Sequence, residues 1–246
     1  MEEKQEVKLI ALDMDGTLLT SDHKVTPYTQ EVIAKALEKG VQVVLSTGRW
    51  LNSCYPYAEM LGLQSYLVTA NGGEVWTVQK ELVDQHLMDP TKMEKLWNLG
   101  IETGVGMWMI STDGVYRETP PEDFYAHDWL KFGCESFDKE KLDVMVKELS
   151  YYDDLELTNS LPTNVEANPK GVSKASALKL VCEKLGITMN DVMAVGDSLN
   201  DMKMIQESGI GVAMGNAQDA IKQAADFVTD TNNSDGVAKA IARFAL

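Results

Sequence analysis

The apolar positions of this chain come in two rhythms, and the rhythm changes twice. In the first segment, short continuous apolar runs alternate with amphipathic ones. VKLIALD reads as a strand buried on both faces, and it stops at Asp13, with Asp15, Gly16 and Thr17 directly after it. TPYTQEVIAKALEKG predicts a helix: Thr26 can cap it, Pro27 suits its first turn, Gly40 can end it, and Val32, Ile33, Ala36 and Leu37 form an apolar stripe. VQVVLS is a second buried strand that ends before Thr47-Gly48-Arg49. LNSCYPYAEMLG reads as helical with an interruption expected at Pro56, and SYLVTA is a third strand closed by Asn71-Gly72-Gly73. Strand, helix, strand with short links predicts a parallel sheet with right-handed crossovers.

Over about 83–166 the pattern mixes amphipathic helices with hairpin-like strands, which predicts an inserted α+β domain. VGMWMISTDGVYRE carries Asp113-Gly114 between β-prone runs, a hairpin signal. SFDKEKLDVMVKELSYY reads as a helix with Leu142, Met145, Val146 and Leu149 on one face, and LELTNSLPTNVEAN as two short strands broken at Pro162. The crossings into this insert are expected near 79–84 and 168–171, where Lys80, Pro169 and Gly171 supply linker chemistry. Trp108 and Trp129 can line its inner face, although burial tendencies favour the core for both. From SKASALKLVCEKLGI onward the alternation returns: DVMAVGD, IGVAM and FVTD as strands, LNDMKMIQESG and AQDAIKQAAD as helices, and a last helix from Ser234.

Composition narrows the function classes. The 246 residues carry a formal net charge of -16, which argues against a nucleic-acid or anionic-membrane partner. A small anionic ligand stays compatible, because local donors override the global field. The opening MEEKQE is acidic and has no apolar h-region, and no apolar run reaches the length of a membrane span. Cys54, Cys134 and Cys182 are odd in number and widely spaced, as are His23, His86 and His127, so neither a disulfide framework nor a Cys-rich zinc site is expected. The expected setting is a reduced cytoplasm, and the expected state a monomer or a weak homo-oligomer.

In an open parallel α/β sheet, ligands bind beyond the carboxyl ends of the strands. Asp13 and Asp15 lie there, as do Thr47 after the second strand and Asp197 with Asn200 and Asp201 after VMAVG. Clustered acids raise one another's pKa and cost stability unless neutralised, and a hard divalent cation with oxygen ligands, for which magnesium fits, does this. The alternative is that each acid caps a following helix.

DMDGT, STGR, the lysine of VSKASAL and GDSLND stand in the order and places of the four motifs of the haloacid dehalogenase-like hydrolases, and this chain resembles that family. GIGVAMGNAQDAIKQAAD and NNSDGVA resemble the tail of its Cof-type (subclass IIB) sugar-phosphate phosphatases. The resemblance implies an α/β protein: a doubly wound, Rossmann-like parallel-sheet core over 1–82 and 167–246, and an inserted α+β cap over 83–166 that selects the substrate and supplies no catalytic group. It implies that Asp13 is the nucleophile and Asp15 the acid/base. Mg2+ would be held by the side chains of Asp13 and Asp197 and the backbone carbonyl of Asp15. Left free of the metal beside other negative charge, the Asp15 side chain is expected to have a raised pKa.

The phosphate-contacting positions it implies are Met14, Thr47, Gly48, Lys174 and Asn200, with Thr17 and Asp201 in support, Asp201 through a metal water or by orienting Lys174. Lys170 competes with Lys174, and Ala175 replaces the glycine usual after the motif lysine. Arg49 suits either phosphate binding or a structural ion pair, and Asn71-Gly72 either the pocket rim or an ordinary turn. The activity implied is magnesium-dependent hydrolysis of small sugar phosphates or related metabolites through an aspartyl-phosphate. A nucleotide, flavin or pyridoxal phosphate is the nearest alternative substrate. From other classes, a receiver-like phosphoacceptor and a catalytically silent metabolite-binding protein are the alternatives, and the intact Asp15 argues against the silent one.

Overall fold

The computed structural model describes residues 6–246, so the acidic start of the chain lies, but for Glu6, outside the described residues. The first segment supplies β1 (Leu9–Leu12), α1 (Pro27–Glu38), β2 (Gln42–Ser46), α2 (Leu51–Met60), β3 (Tyr66–Thr69), β4 (Glu74–Thr77) and β5 (Leu82–Gln85). The insert supplies α3 (Pro90–Thr103), β6 (Gly106–Ser111), β7 (Val115–Arg117), β8 (Trp129–Glu135), α4 (Lys139–Ser150), β9 (Leu155–Thr158) and β10 (Asn164–Pro169). The last segment supplies α5 (Lys174–Leu185), β11 (Val192–Gly196), α6 (Met202–Glu207), β12 (Ile210–Ala213), α7 (Asp219–Ala224), β13 (Phe227–Val228) and α8 (Gly236–Phe244).

These strands form two sheets. An eight-stranded sheet runs β13-β12-β11-β1-β2-β3-β4-β5, parallel from β13 to β3 and antiparallel from β3 to β5. Strand β1 is central and buried on both sides: Ile10 and Leu12 pack into the core beneath α1, α2 and α8, while Leu9 and Ala11 pack beneath α5. Helices on both faces of a mainly parallel sheet make the core doubly wound. The second sheet is wholly antiparallel, in the order β7-β6-β8-β10-β9, with α3 and α4 on one face and the first sheet's carboxyl edge opposite the other.

Local sequence explains most boundaries. Thr26 caps α1 by accepting from the Thr29 N–H, with Pro27 in the first turn. Ser173 and Ser176 form a capping box that starts α5, and Gly186, at φ 69°, ends it. Pro56 does not break α2, which runs through it at the cost of one intrahelical bond. On α4, Leu142, Met145 and Leu149 are buried as expected, but Val146 is 41% exposed and lies off the buried stripe.

The link expected near 79–84 is the turn and second strand of the β4–β5 hairpin, which extends the core sheet, while β10 carries the cap sheet through Asn168 and Pro169. The two strands that join core to cap therefore belong to the sheets themselves. Cys54, Cys134 and Cys182 are buried and unpaired, and burial pushes the Cys54 and Cys134 thiols up to about 12. No described helix is long and apolar enough to cross a membrane.

One backbone contact fixes where α5 begins. Gly72 sits at φ +97°, and a Cβ there would stand 2.3 Å from the Ser173 carbonyl oxygen. The left-handed conformation and the contact both demand glycine. Gly72→Ala is expected to lower stability by about 1–3 kcal/mol, read as a fall of several degrees in thermal midpoint. An unchanged midpoint would mean that α5 is not seated on this turn.

Candidate active site

Parallel pairing brings the motif residues together. Leu12 is in register with Leu45 on β2 and Val195 on β11, so the residues that follow these strands emerge side by side at one sheet edge. Asp13, Thr47 and Asp197 are those residues or their near neighbours. Helix α5, docked on the other side of Gly72, sends Lys174 into the same spot.

Lys174 is fully buried, and its Nζ donates to Asp13 Oδ1 at 2.6 Å and to Asp201 Oδ1 at 2.7 Å. Burial disfavours its ammonium form, but the two carboxylates outweigh that and hold its pKa above the ordinary lysine range. Lys170, by contrast, is exposed in the turn before α5. The other Asp201 oxygen accepts from the backbone N–H groups of Asp197 (2.8 Å) and Ser198 (3.1 Å). Asp201 is thus saturated by its neighbours and orients the lysine.

Asp197 accepts from the Thr17 hydroxyl at 3.2 Å and the Ser198 hydroxyl at 3.1 Å. Gly16 lets the chain pass beside it, since a Cβ there would lie 2.5 Å from Asp197 Oδ2. Oxygens of Asp13, Asp197 and Asp201 fall within 4.8 Å of one another, a hard donor set suited to a divalent cation. Asp201 is held by the Lys174 ammonium and two backbone N–H groups, whereas Asp197 accepts only from two hydroxyls and Asp13 keeps one oxygen clear of Lys174, so Asp13 and Asp197 are the pair with more capacity to hold one.

Asp15 departs from expectation. Its side chain points out of the acid cluster, 48% exposed, and takes a bidentate pair from Arg49, Nε to Oδ2 at 2.7 Å and Nη2 to Oδ1 at 2.6 Å. Its nearest charged partner is a guanidinium and not another acid, so the expected acidic neighbourhood is corrected. Of the two readings of Arg49, the ion pair is the one present.

The phosphate-contacting positions divide. The Met14 side chain is buried in the core, leaving only its backbone to serve the site. Thr47 is buried, its hydroxyl accepting from the Arg49 N–H at 3.1 Å. Gly48 lines the cleft. Asn200 also lines it, with Nδ2 donating to Asn71 Oδ1 at 3.2 Å and Oδ1 buried without a partner.

The insert contributes more than a roof. Lys131 of β8 donates to the Gly48 carbonyl at 2.9 Å and to Glu166 Oε1 at 3.0 Å, both side chains being buried. Glu166 of β10 accepts from Asn71 Nδ2 at 2.7 Å, and Asn168 donates to the Ala70 carbonyl at 2.8 Å. The insert is expected to supply no catalytic group, yet two of its charged residues reach the loops that carry Gly48 and Asn71. The signal lay in a lysine set inside the apolar run WLKFGC. Trp108 lines the cleft, whereas Trp129 packs in the insert's own core, so the two tryptophans split between the two readings. The cleft between the sheets measures about 590 Å³, with Asp13, Asp15 and Asp197 at its core end.

Crowding leaves a pH signature. Burial and the Asp201 charge push the Asp197 carboxyl from 3.8 up to about 6, and burial and Asp201 push Asp13 upward too, against the pull of Lys174. Between the unfolded and folded values the native state holds more protons, so this cluster loses stability as pH rises from about 4 to 6. In chelator-treated protein, the midpoint of Asp197→Asn relative to wild type is therefore expected to rise across that window. A difference that falls with pH would contradict the crowding.

The comparisons agree with this geometry. The family profile described as haloacid dehalogenase-like hydrolase matches residues 10–132 and 117–241. The 5-amino-6-(5-phospho-D-ribitylamino)uracil phosphatase YcsE of Bacillus subtilis strain 168 is 47% identical over 244 residues, covering 99% of this chain and 98% of that protein. A phosphoglycolate phosphatase of Methanobrevibacter smithii is 32% identical, covering 98% of this chain and 99% of that protein. Among solved structures, a haloacid dehalogenase-like hydrolase from B. subtilis matches at TM-score 0.88 and 29% identity, over 98% of this chain and all of that one. Fold, motif order and kinship agree: the chain belongs to the haloacid dehalogenase-like hydrolases and is a phosphatase.

Proposed function

We propose that this phosphatase hydrolyses phosphomonoesters of small metabolites through an aspartyl-phosphate on Asp13, with Mg2+ as cofactor. The observation that carries the reading is the Lys174 ammonium bonded to both Asp13 and Asp201, at the end of a cleft that Asp13 lines. Asp13 keeps one oxygen clear of that pair to attack phosphorus. Asp15 protonates the leaving oxygen as its bond to phosphorus breaks. It then takes a proton from the water that attacks the aspartyl-phosphate, which frees Asp13 and releases inorganic phosphate. Lys174, the Thr47 hydroxyl, the Gly48 and Met14 backbone and Asn200 meet the phosphoryl oxygens. The side chains of Asp13 and Asp197, with the Asp15 backbone carbonyl, would hold Mg2+, which would neutralise charge on those oxygens. Arg49 holds Asp15 at the cleft wall until the substrate enters.

Sugar and polyol phosphates fit the size of the cleft, and the relative named for 5-amino-6-(5-phospho-D-ribitylamino)uracil puts that ester first among them. The test is kcat/KM over a panel that holds this ester, phosphoglycolate and common sugar phosphates, with Mg2+ and after chelation. The expected result is metal-dependent hydrolysis that favours a polyol phosphate. Turnover indifferent to the chelator, or cleavage of none of the panel, would overturn the reading.

Asp15→Asn separates the roles. Its kcat should fall roughly 10²-fold or more, the scale of lost acid–base help. Added Mg2+ should still raise its thermal midpoint, since the Asp13 and Asp197 side chains remain. Near wild-type turnover in this variant would make Asp15 a structural acid.

A further inference from the structure

The cleft is long, and its two ends differ in chemistry. Lys131 stands at the phosphate end, against the Gly48 carbonyl. Glu135, four residues further along β8, lines the far end, about 13 Å away at strand spacing. Between them the wall is aromatic. Trp108 is in register with Gly133 on one side and Arg117 on the other. Its indole lies against the Gly133 backbone, where a Cβ would meet Trp108 Cε2 at 2.2 Å, so glycine is what lets the ring lie down on the sheet. Trp50, from the core loop after Arg49, packs against the same cluster.

The charged pair at this end is loosely made. The Arg117 guanidinium sits 5.3 Å from the centre of the Trp108 ring, and its Nη1 is 3.5 Å from Glu135 Oε1. Both side chains are about half exposed, at 57% and 46%. Each keeps hydrogen-bonding capacity: a fork of N–H donors on one side and carboxylate acceptors on the other. A flat ring whose edge presents a carbonyl next to an N–H is complementary to that pair.

We infer that Trp108, Arg117 and Glu135 form a subsite for the leaving group, one that takes a planar, uncharged heterocycle of the cyclic amide or imide kind borne at the far end of a phosphorylated polyol. Trp108, 7% exposed between the Gly133 backbone and the Arg117 guanidinium, is the platform that holds Arg117 in place; Arg117 donates to the ring's carbonyl and Glu135 accepts from its N–H. The inference rests on the phosphatase reading above and adds to it which part of the ester is recognised, and by which residues.

The experiment compares two esters that share the polyol and differ in the ring: 5-amino-6-(5-phospho-D-ribitylamino)uracil and D-ribitol 5-phosphate. Wild type is expected to favour the ring-bearing ester in kcat/KM by roughly tenfold or more, the scale of a hydrogen bond to a charged group. Arg117→Ala and Trp108→Ala should each shrink that ratio several-fold, and Trp108→Phe should restore most of it. Ring-bearing product without phosphate should quench the tryptophan fluorescence of wild type at lower concentration than that of Arg117→Ala, a readout independent of turnover. A wild-type preference that Arg117→Ala and Trp108→Ala leave unchanged, or no quenching by the product, overturns the subsite while the phosphatase reading stands. Quenching without hydrolysis of either ester overturns the phosphatase reading and leaves the subsite standing.

Discussion

One buried ammonium organises this molecule. Lys174 has no exposed surface and is the only lysine bonded to the carboxylates that cluster at the strand ends among the described residues. Three acids against one cation would repel, and the chain manages this by aiming Lys174 between Asp13 and Asp201 and by giving Asp201 two further backbone donors. Breaking such a buried pair by removing one partner costs roughly 3–5 kcal/mol. The capping box that starts α5, the left-handed Gly72 and the parallel register of β1 with β2 and β11 all serve to deliver that nitrogen to that place. What charge remains uncompensated is the basis for expecting a divalent cation between Asp13 and Asp197.

The second constraint is the polar seam between the sheets. Lys131, Glu166 and Asn168 come from the insert, Gly48, Ala70 and Asn71 from the core, and apart from Gly48, which lines the cleft, these residues are buried. Buried polar groups with their bonds satisfied favour one arrangement over nearby ones. The seam therefore ties the position of the insert to the loops after β2 and β3, the same loops that present Thr47, Gly48 and Asn71. The insert and the sheet edge are mechanically joined at Gly48, where a Cβ would crowd Asn71 and Lys131 at 2.9 and 3.1 Å.

The sequence made some of this legible and hid the rest, for physical reasons. Asp13 and Asp197 follow short runs of apolar residues too continuous for a surface strand, so their place at a sheet edge could be read directly. Ser173 before Lys174 marked a helix start, which placed the lysine at the first turn of α5. The Arg49 pair with Asp15 was not readable, because it is made across two loops 34 residues apart and depends on side-chain direction. Lys131 and Glu166 were hidden for a similar reason. An irregularity in the β6–β8 pairing, between Ile110 and Ser111, puts Leu130 and Lys131 together on the core-facing side, and simple alternation does not foresee a bulge. The β4–β5 hairpin reads as a link in the sequence because its polar residues, Gln79 to Glu81, sit in the turn of a sheet edge.

In the proposed reaction Asp13, and not its acidic neighbours, receives the phosphoryl group. The most direct measurement is a crystal structure of the protein grown with magnesium, beryllium and fluoride, which together mimic a phosphoryl group on a carboxylate. The account predicts a trifluoroberyllate bonded to the Asp13 oxygen that Lys174 leaves free, with the Lys174–Asp201 pair intact. An adduct on Asp15, Asp197 or Asp201, or a site that stays bare under conditions in which the enzyme turns over, would contradict it.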